Sequence, residues 1–249
     1  MRSPLKTIRL IASGLMLIIL CGCKTYISGL KVDPAFTYQS AVSGHIAIVG
    51  IVSSVAPLAA ADIATYSNQI NTQLNDKRPD FVLISYGEVV NQLGPENHAK
   101  LLNDIQTIGT PSTSSLDVLR TPARGYRYIL FSRIESDLIN KFTMSEETPI
   151  KGIRPITSRN VTASLQVVDI TDGKIVWSAS AATMLQNATG VVPIPKKTRL
   201  SEKILNDAVD SILGGTSAKP EDFHYPPEPS LTNVLQELFR GLAKHMPDK

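Results

Sequence analysis

Apolar and polar residues alternate most regularly between Val161 and Ala181, and this stretch gives the strongest structural prediction in the chain. Two runs with a period of two flank the pair Asp172-Gly173, a pattern typical of a β-hairpin with one face in the core. The predicted core face consists of Val161, Ala163, Leu165, Val167, Ile175, Trp177, Ala179 and Ala181. Trp177 is the single tryptophan. It is predicted to be buried in that face, and an exposed binding platform is the alternative.

Predicted strands and helices alternate through the rest of the domain. A continuous apolar run from His45 to Val52 predicts a buried central strand, and the Ala-rich stretch after Pro57 predicts a helix that ends before Pro79. The other predicted elements are a strand at 80–85, helices at 88–93, after Pro95 and at 116–119, a strand at 126–138, a polar loop at 140–155 and a helix from 201 to 215. Together they predict an α/β (α+β) fold, a mixed β-sheet with a long β-hairpin and helices packed on the sheet, in a single domain over residues 44–215.

The C-terminal region divides into a Pro-rich linker at 216–230 and an amphipathic helix at 231–249. Apolar residues recur along that helix at the spacing of one helical face. One interpretation is that this face packs on the sheet. The alternative is that the helix binds a partner or a second copy, and Leu235, Leu238 and Phe239 are then the candidate partner-binding residues.

The N-terminus has the order of a secretory signal. Basic residues precede an apolar run from Leu10 to Leu20 that is short for a membrane-spanning helix. The run leads into Leu20-Cys21-Gly22-Cys23, which resembles a bacterial lipobox. That resemblance implies a lipoprotein signal peptide at 1–22, lipidation of Cys23, and a polar, lipidated tether at 23–43. An uncut signal anchor is the alternative.

Composition narrows the function classes. Removing residues 1–22 takes away three basic and no acidic residues, so the remaining chain is formally neutral and gives no electrostatic indication of nucleic-acid binding. Both cysteines lie in the lipobox, so the domain itself has no thiol for a disulfide, a metal site or a nucleophile.

No motif predicts catalysis, a metal or a cofactor. The histidines are scattered along the chain at positions 45, 98, 224 and 245, and no nucleophile elbow or phosphate-binding loop is present. Arg133, Glu135 and Asp137 alternate at a strand end and could form an acid-base cluster. A solvated or self-paired strand end is the favoured interpretation. The chain is therefore predicted not to be an enzyme and to have no small-molecule substrate.

The hairpin carries a family resemblance. The run from Arg159 to Asp169, followed by Thr171 to Ser178, resembles a pattern in a superfamily of periplasmic lipoproteins that includes the curli secretion lipoprotein CsgG, the penicillin-binding-protein activator LpoB and the amino-terminal domain of TolB. The segment from Gly125 to Leu130 and the opening strand also match. The resemblance implies a protein-docking module. Membrane-spanning hairpins of the curli type are not expected, because 140–155 is short and charged.

These observations predict a lipid-anchored, non-catalytic periplasmic protein that binds another envelope protein. The alternative is a subunit of an envelope secretion or structural assembly, which forms by self-association. Lys24 follows the predicted lipidation site. The usual inner-membrane retention signal of enteric bacteria is an Asp at this position, so the outer membrane, facing the periplasm, is the expected location.

Overall fold

The computed structural model describes residues 25–121, 124–146, 152–193 and 224–249. Its strands are β1 (Thr25–Val32), β2 (Ile46–Ser53), β3 (Leu83–Ile84), β4 (Tyr128–Glu146), β5 (Gly152–Asp169), β6 (Lys174–Ala188) and β7 (Val192–Pro193). Its helices are α1 (Tyr38–Gly44), α2 (Ala60–Lys77), α3 (Tyr86–Leu93), α4 (Pro95–Ile108), α5 (Thr113–Leu119) and α6 (Leu231–Ala243). Among these described residues, no helix is both long and apolar enough to cross a membrane.

The strands form one mixed sheet in the order β1-β6-β5-β4-β2-β3, with β7 paired to β5. β2 runs parallel to β3 and β4, whereas the other pairs are antiparallel. The fold is therefore a mixed α/β single-sheet domain, as the sequence predicted. The predicted hairpin is confirmed as β5 and β6, and its turn contains Gly173 with a φ of +76°.

Helices cover both faces of the sheet and enclose two apolar cores. α1, α2 and α6 pack on one face, and α3, α4 and α5 on the other. β2 serves both cores, because its alternate residues point to opposite faces. We call the core under α1, α2 and α6 the first core and the core under α3, α4 and α5 the second. A bulge with Val49 as its extra residue shifts the alternation of β2 by one residue, so Ile51 follows Ile48 into the first core while Val52 enters the second.

The prediction of a polar loop at 140–155 is wrong, because most of this range forms paired strands. β4 continues to Glu146, and β5 begins at Gly152 and pairs with it along its whole length. The outer parts of three strands (138–146, 152–160 and 184–188) form an extension of the sheet that we call the tongue. Sequence reasoning missed the tongue because its β4 and β6 parts are largely solvent-exposed, and an exposed strand needs no apolar alternation. The β5 part is buried or half-buried, but its side chains are mostly polar, so it shows no apolar alternation either.

The predicted tether at 23–43 also differs from the structure. Residues 25–32 form the edge strand β1, and Thr25 pairs with Thr183 at one end while Val32 pairs with Trp177 at the other. The helix α1 follows, and it starts at a capping box in which Thr37 and Ser40 bond each other's backbone N–H. β1 is mostly exposed, and its apolar residues do not alternate regularly with polar ones, so the sequence pattern did not predict a strand.

One residue of the predicted core face is misplaced. Ile175 is exposed, whereas Val176 is buried, because the β5–β6 register shifts between Val167 and Val168. Trp177 pairs with Val167 and is fully buried, as predicted. The predicted strand at 80–85 is reduced to the two residues of β3. The predicted helix from 201 to 215 lies outside the described residues.

Candidate functional site

A cleft of about 390 Å³ opens at the carboxyl end of β2. In sheets with parallel strands, this end is where ligands bind most often. The cleft lies between α2 and α4, and the chain from 54 to 58 forms its rim. Its lining consists of Ile51, Val52, Ser53, Ser54, Val55, Ala56, Pro57, Leu58, Ile63, Leu102, Asn103 and Gln106.

Hydrogen bonds fix the rim of the cleft. The side chain of Gln106 donates to the carbonyl of Ser53 at 2.9 Å, which ties α4 to the end of β2. The Ser53 hydroxyl accepts the N–H of Val55 at 3.2 Å, and the N–H of Ser54 donates to the carbonyl of Ile134 at 2.8 Å. The rim is thus held to α4 and β4, while the Val55 side chain remains half-exposed.

The chemistry of the cleft favours binding over acid-base catalysis. None of its lining residues has an ionisable side chain, and most of the lining is aliphatic. General acid-base catalysis needs a titratable group within hydrogen-bond reach of the substrate. A lining of this kind suits an apolar side chain, with the amides of Asn103 and Gln106 and the hydroxyl of Ser54 as the polar partners.

His98 is a buried histidine near the cleft, and its ring contacts other parts of the fold. Its Nε2 lies 2.8 Å from the carbonyl of Val49, the extra residue of the β2 bulge. Because a carbonyl only accepts, Nε2 carries the proton in this contact. The imidazole also packs edge-on against Tyr86. Burial lowers the pKa of His98 and so favours the neutral form of the ring.

Asp104 and two serines form the second buried polar cluster near α4. The Asp104 carboxylate accepts the hydroxyls of Ser112 and Ser115 and the N–H of Ser112. Burial raises the pKa of Asp104, but these hydrogen bonds outweigh that effect and the pKa is lowered. A carboxylate that is stabilised in this way is a weak base, and the contacts instead anchor the start of α5.

Arg133, Glu135 and Asp137 do not form a cluster. A bulge at Glu135 separates the other two, so Arg133 donates to the carbonyl of Ile105 on one face of the sheet. Asp137 lies on the other face and makes a two-bond contact with Arg159, at 2.7 and 2.5 Å. The predicted pairing of these three residues with one another is therefore not observed, because Arg133 and Asp137 each bond another element of the fold.

The candidate partner-binding residues of the C-terminal helix are in the core. Leu235, Leu238 and Phe239 are fully buried among side chains of α2, β5 and β6, so in this structure they offer no docking surface. The first interpretation of this helix, packing on the sheet, is the one observed. The lipobox residues Leu20, Cys21, Gly22 and Cys23 lie outside the described residues.

The described part of the predicted linker, 224–230, is a strap bound to the sheet. Thr157 donates to the carbonyl of Pro226 at 2.7 Å, and Asn187 donates to that of Pro227, also at 2.7 Å. Arg159 donates to the carbonyl of Pro229 at 3.3 Å. Proline has no N–H, so these strap positions present only acceptors, and the sheet supplies the donors.

A more polar pocket of about 370 Å³ lies at the opposite end of the sheet, beside Tyr126. Its two lining arginines already have partners. Arg127 bonds Asp169 at 2.8 Å, and Arg120 donates to the carbonyl of Ile170 at 2.7 Å. The Arg120 contact holds the β5–β6 turn against the end of α5, and the Arg127 contact ties the end of β5 to the start of β4. Their guanidinium groups are therefore used within the fold.

Sequence reasoning missed the cleft. Its residues come from β2, the following loop, α2 and α4, and none of them stands out by residue type. The available signal was the buried parallel strand followed by a short loop and a helix, since this order places the loop at the ligand-binding edge of a sheet.

Comparison with known proteins gives weak structural similarities. No family model and no curated protein matches the chain. A PelC dodecamer from Paraburkholderia phytofirmans is similar at 12% identity, with 91% of this chain and 100% of that chain covered and a TM-score of 0.40. The LpoB C-terminal domain from Salmonella enterica is similar at 15% identity over 61% and 87% of the chains, with a TM-score of 0.32. Lipoprotein GNA1162 from Neisseria meningitidis is similar at 13% identity over 69% and 96%, with a TM-score of 0.30. At these values the similarities carry no argument about function.

Proposed function

We propose that this chain is a lipoprotein, anchored through Cys23 in the outer membrane and facing the periplasm, which binds another envelope protein without catalysing a reaction. The observation that carries this proposal is the aliphatic cleft at the end of β2, whose lining has no ionisable side chain. The lipobox in the sequence supports the location.

The cleft fits a short apolar segment of a partner protein. Burial of one large aliphatic or aromatic side chain there would contribute about 1.5–3 kcal/mol. The polar side chains of Ser54, Asn103 and Gln106 line the same cleft and offer hydrogen bonds to a partner's backbone. Because the rim is already tied to α4 and β4, binding requires little additional ordering of this protein.

Crosslinking in intact cells tests the cleft. A photoreactive amino acid at Val55, on the rim, should capture one envelope protein that mass spectrometry identifies. The same residue at Val82, which is also partly exposed but lies near the opposite end of β2, is the matched control. Equal capture at both positions, or capture at neither, would contradict the proposal.

Self-assembly is the second candidate function, and the edge strand β1 favours it. Among the residues that the structure describes, β1 pairs with β6 alone, and it exposes Tyr26, Leu30 and Val32. An open strand edge is a template for pairing with a second chain. The native mass of the detergent-solubilised lipoprotein distinguishes the candidates, because an assembly subunit should form a stable oligomer and an accessory protein should be a monomer.

A further inference from the structure

The side chains of the tongue separate into two faces that differ in what covers them. Residues directly opposite each other in an antiparallel ladder share a face, and successive residues alternate. Leu138, Asn160 and Met184 are therefore on one face, and Ile139, Arg159 and Leu185 are on the other. The strap covers the Arg159 face, because Thr157, Arg159 and Asn187 bind it.

The opposite face of the tongue, which we call the open face, exposes large apolar side chains. Leu138 is 56% exposed, Met144 48% and Met184 47%. Tyr26 is 72% exposed, and it shares this face because it pairs with Ala182, two residues before Met184. On the middle strand β5, the same face carries Asn160, Ser158 and Ile156, of which Ser158 and Ile156 are buried, so the exposed apolar side chains come from β4, β6 and β1. Several large apolar side chains exposed on one face of a small domain indicate a binding surface.

The position of β1 indicates what this face meets. β1 enters the sheet at Thr25, beside Thr183, and runs away from the tongue. The chain therefore reaches the sheet from the side on which the tongue extends. Cys23 precedes Thr25 by two residues, a span of at most about 7 Å. A lipid attached to Cys23 would thus hold the base of the tongue, with Tyr26, close to the membrane surface.

We propose that the open face of the tongue lies on the same membrane leaflet that holds the lipid of Cys23, so that Leu138, Met144, Met184 and Tyr26 contact the interfacial region. This inference rests on the proposed lipidation of Cys23. Apolar side chains that are buried in the interface stabilise such contacts, and tyrosine is favoured at that depth.

The tongue lies along the membrane and does not cross it. Asp137 on β4 lies in the same cross-strand row as Thr25 on β1, and β4 continues beyond Asp137 for nine residues to Glu146. That length is about 30 Å at roughly 3.4 Å per residue, comparable to the hydrocarbon core. The strap and Lys141 occupy its other face, and a charged, strap-covered face does not insert into hydrocarbon.

Depth-dependent fluorescence quenching tests this contact. Leu138→Trp and Ile139→Trp are matched variants, because the two positions are adjacent in sequence, both exposed and on opposite faces. Trp177 is fully buried and gives the same background in both. Each mature lipoprotein is purified from its membrane, reconstituted into phosphatidylethanolamine/phosphatidylglycerol vesicles with brominated acyl chains, and compared with unbrominated vesicles.

We expect the emission of Leu138→Trp to shift to the blue and to be quenched by brominated lipid, and that of Ile139→Trp to do neither. Met144→Trp, a second open-face variant, should behave like Leu138→Trp. The inference is overturned if Leu138→Trp and Ile139→Trp show the same emission and the same quenching. It is also overturned if the emission of Leu138→Trp shifts to the blue without being quenched by brominated lipid, because protein and not lipid would then cover the open face. Mass spectrometry of the N-terminal peptide separates the two proposals. A lipid-free Cys23 refutes both, whereas unquenched open-face variants with lipidated Cys23 refute only the membrane contact.

Discussion

At the scale of single residues, Trp177 is the largest fully buried side chain of the described core. Its indole N–H donates to the carbonyl of His245 at 3.3 Å and so ties β6 to the segment after α6. Trp177→Ala is expected to lower the free energy of unfolding by about 3–5 kcal/mol, because it removes a buried aromatic ring and leaves a cavity. Urea unfolding monitored by circular dichroism measures this loss. Trp177→Phe, which keeps an aromatic ring in the core, should cost less, and a loss below about 1 kcal/mol for the alanine variant would contradict the buried position.

The lowered pKa of Asp104 predicts that the free energy of unfolding depends on pH. Because the pKa of Asp104 is lowered in the folded protein, its contribution is present above the unfolded pKa and is lost as the pH falls through the folded value. We expect Asp104→Asn to be less stable than the parent protein at neutral pH. The difference should shrink in acid, below the ordinary carboxyl pKa of about 4. Urea titrations of both proteins at neutral and acidic pH measure this, and a difference that does not change with pH would exclude the mechanism.

The backbone conformation of Gly173 predicts that a larger residue at this position lowers the free energy of unfolding. It has a φ of +76°, and an added Cβ would lie 2.7 Å from the Cδ1 of Leu116. Gly173→Val should therefore lower the free energy of unfolding by about 1–3 kcal/mol, since a β-branched residue is strained at positive φ. Gly190→Val is the matched control, because Gly190 has no positive φ and an added Cβ there meets nothing within 4 Å. Equal effects of the two substitutions on chemical unfolding would argue against a strained turn.

At the scale of elements, α6 completes the first core. Val234, Leu235, Leu238, Phe239 and Leu242 are all buried against the sheet and α2. Truncation after Pro229 is expected to unfold or aggregate the protein, because each large apolar side chain contributes about 1.5–3 kcal/mol and a domain has only about 5–15 kcal/mol in total.

Thermal melting of the truncated protein measures this effect. Truncation after Met246 is the control, because it keeps α6 and removes only the last three residues, of which Asp248 and Lys249 are exposed. If the protein truncated after Pro229 melted at the parent temperature, the helix would have to be an independent docking element.

At the scale of the whole molecule, the start of β1 lies close in sequence to the proposed lipidation site, Cys23. Only Lys24 lies between Cys23 and β1, so lipidation would hold the sheet itself near the membrane in place of a long tether. Cys23→Ser is expected to abolish incorporation of labelled palmitate and to leave an uncut precursor. Fractionation of the parent protein should find it in the outer membrane. Palmitate incorporation into the serine variant, or a parent protein wholly in the inner membrane, would contradict these expectations.

The spacing of apolar residues along the sequence was enough to predict those strands and helices that bury one regular face. The β5–β6 hairpin and α6 have strong periodicities, because a face that packs on a core must repeat at the period of its element. The same argument predicted β2, whose uninterrupted apolar run reflects burial on both sides. The lipobox prediction likewise needs only adjacent residues.

The tertiary structure alone decided β1, the tongue, the strap and the cleft. β1 and the β4 and β6 parts of the tongue are largely exposed, so they need no apolar period, and their strands exist because distant strands supply backbone partners. The strap is held by donors on Thr157, Arg159 and Asn187, which lie far from it in sequence. The cleft assembles side chains from four separate segments, and only the packing of α2 and α4 beside β2 brings them together. A sequence pattern records local periodicity, whereas these features depend on contacts between residues that are remote along the chain.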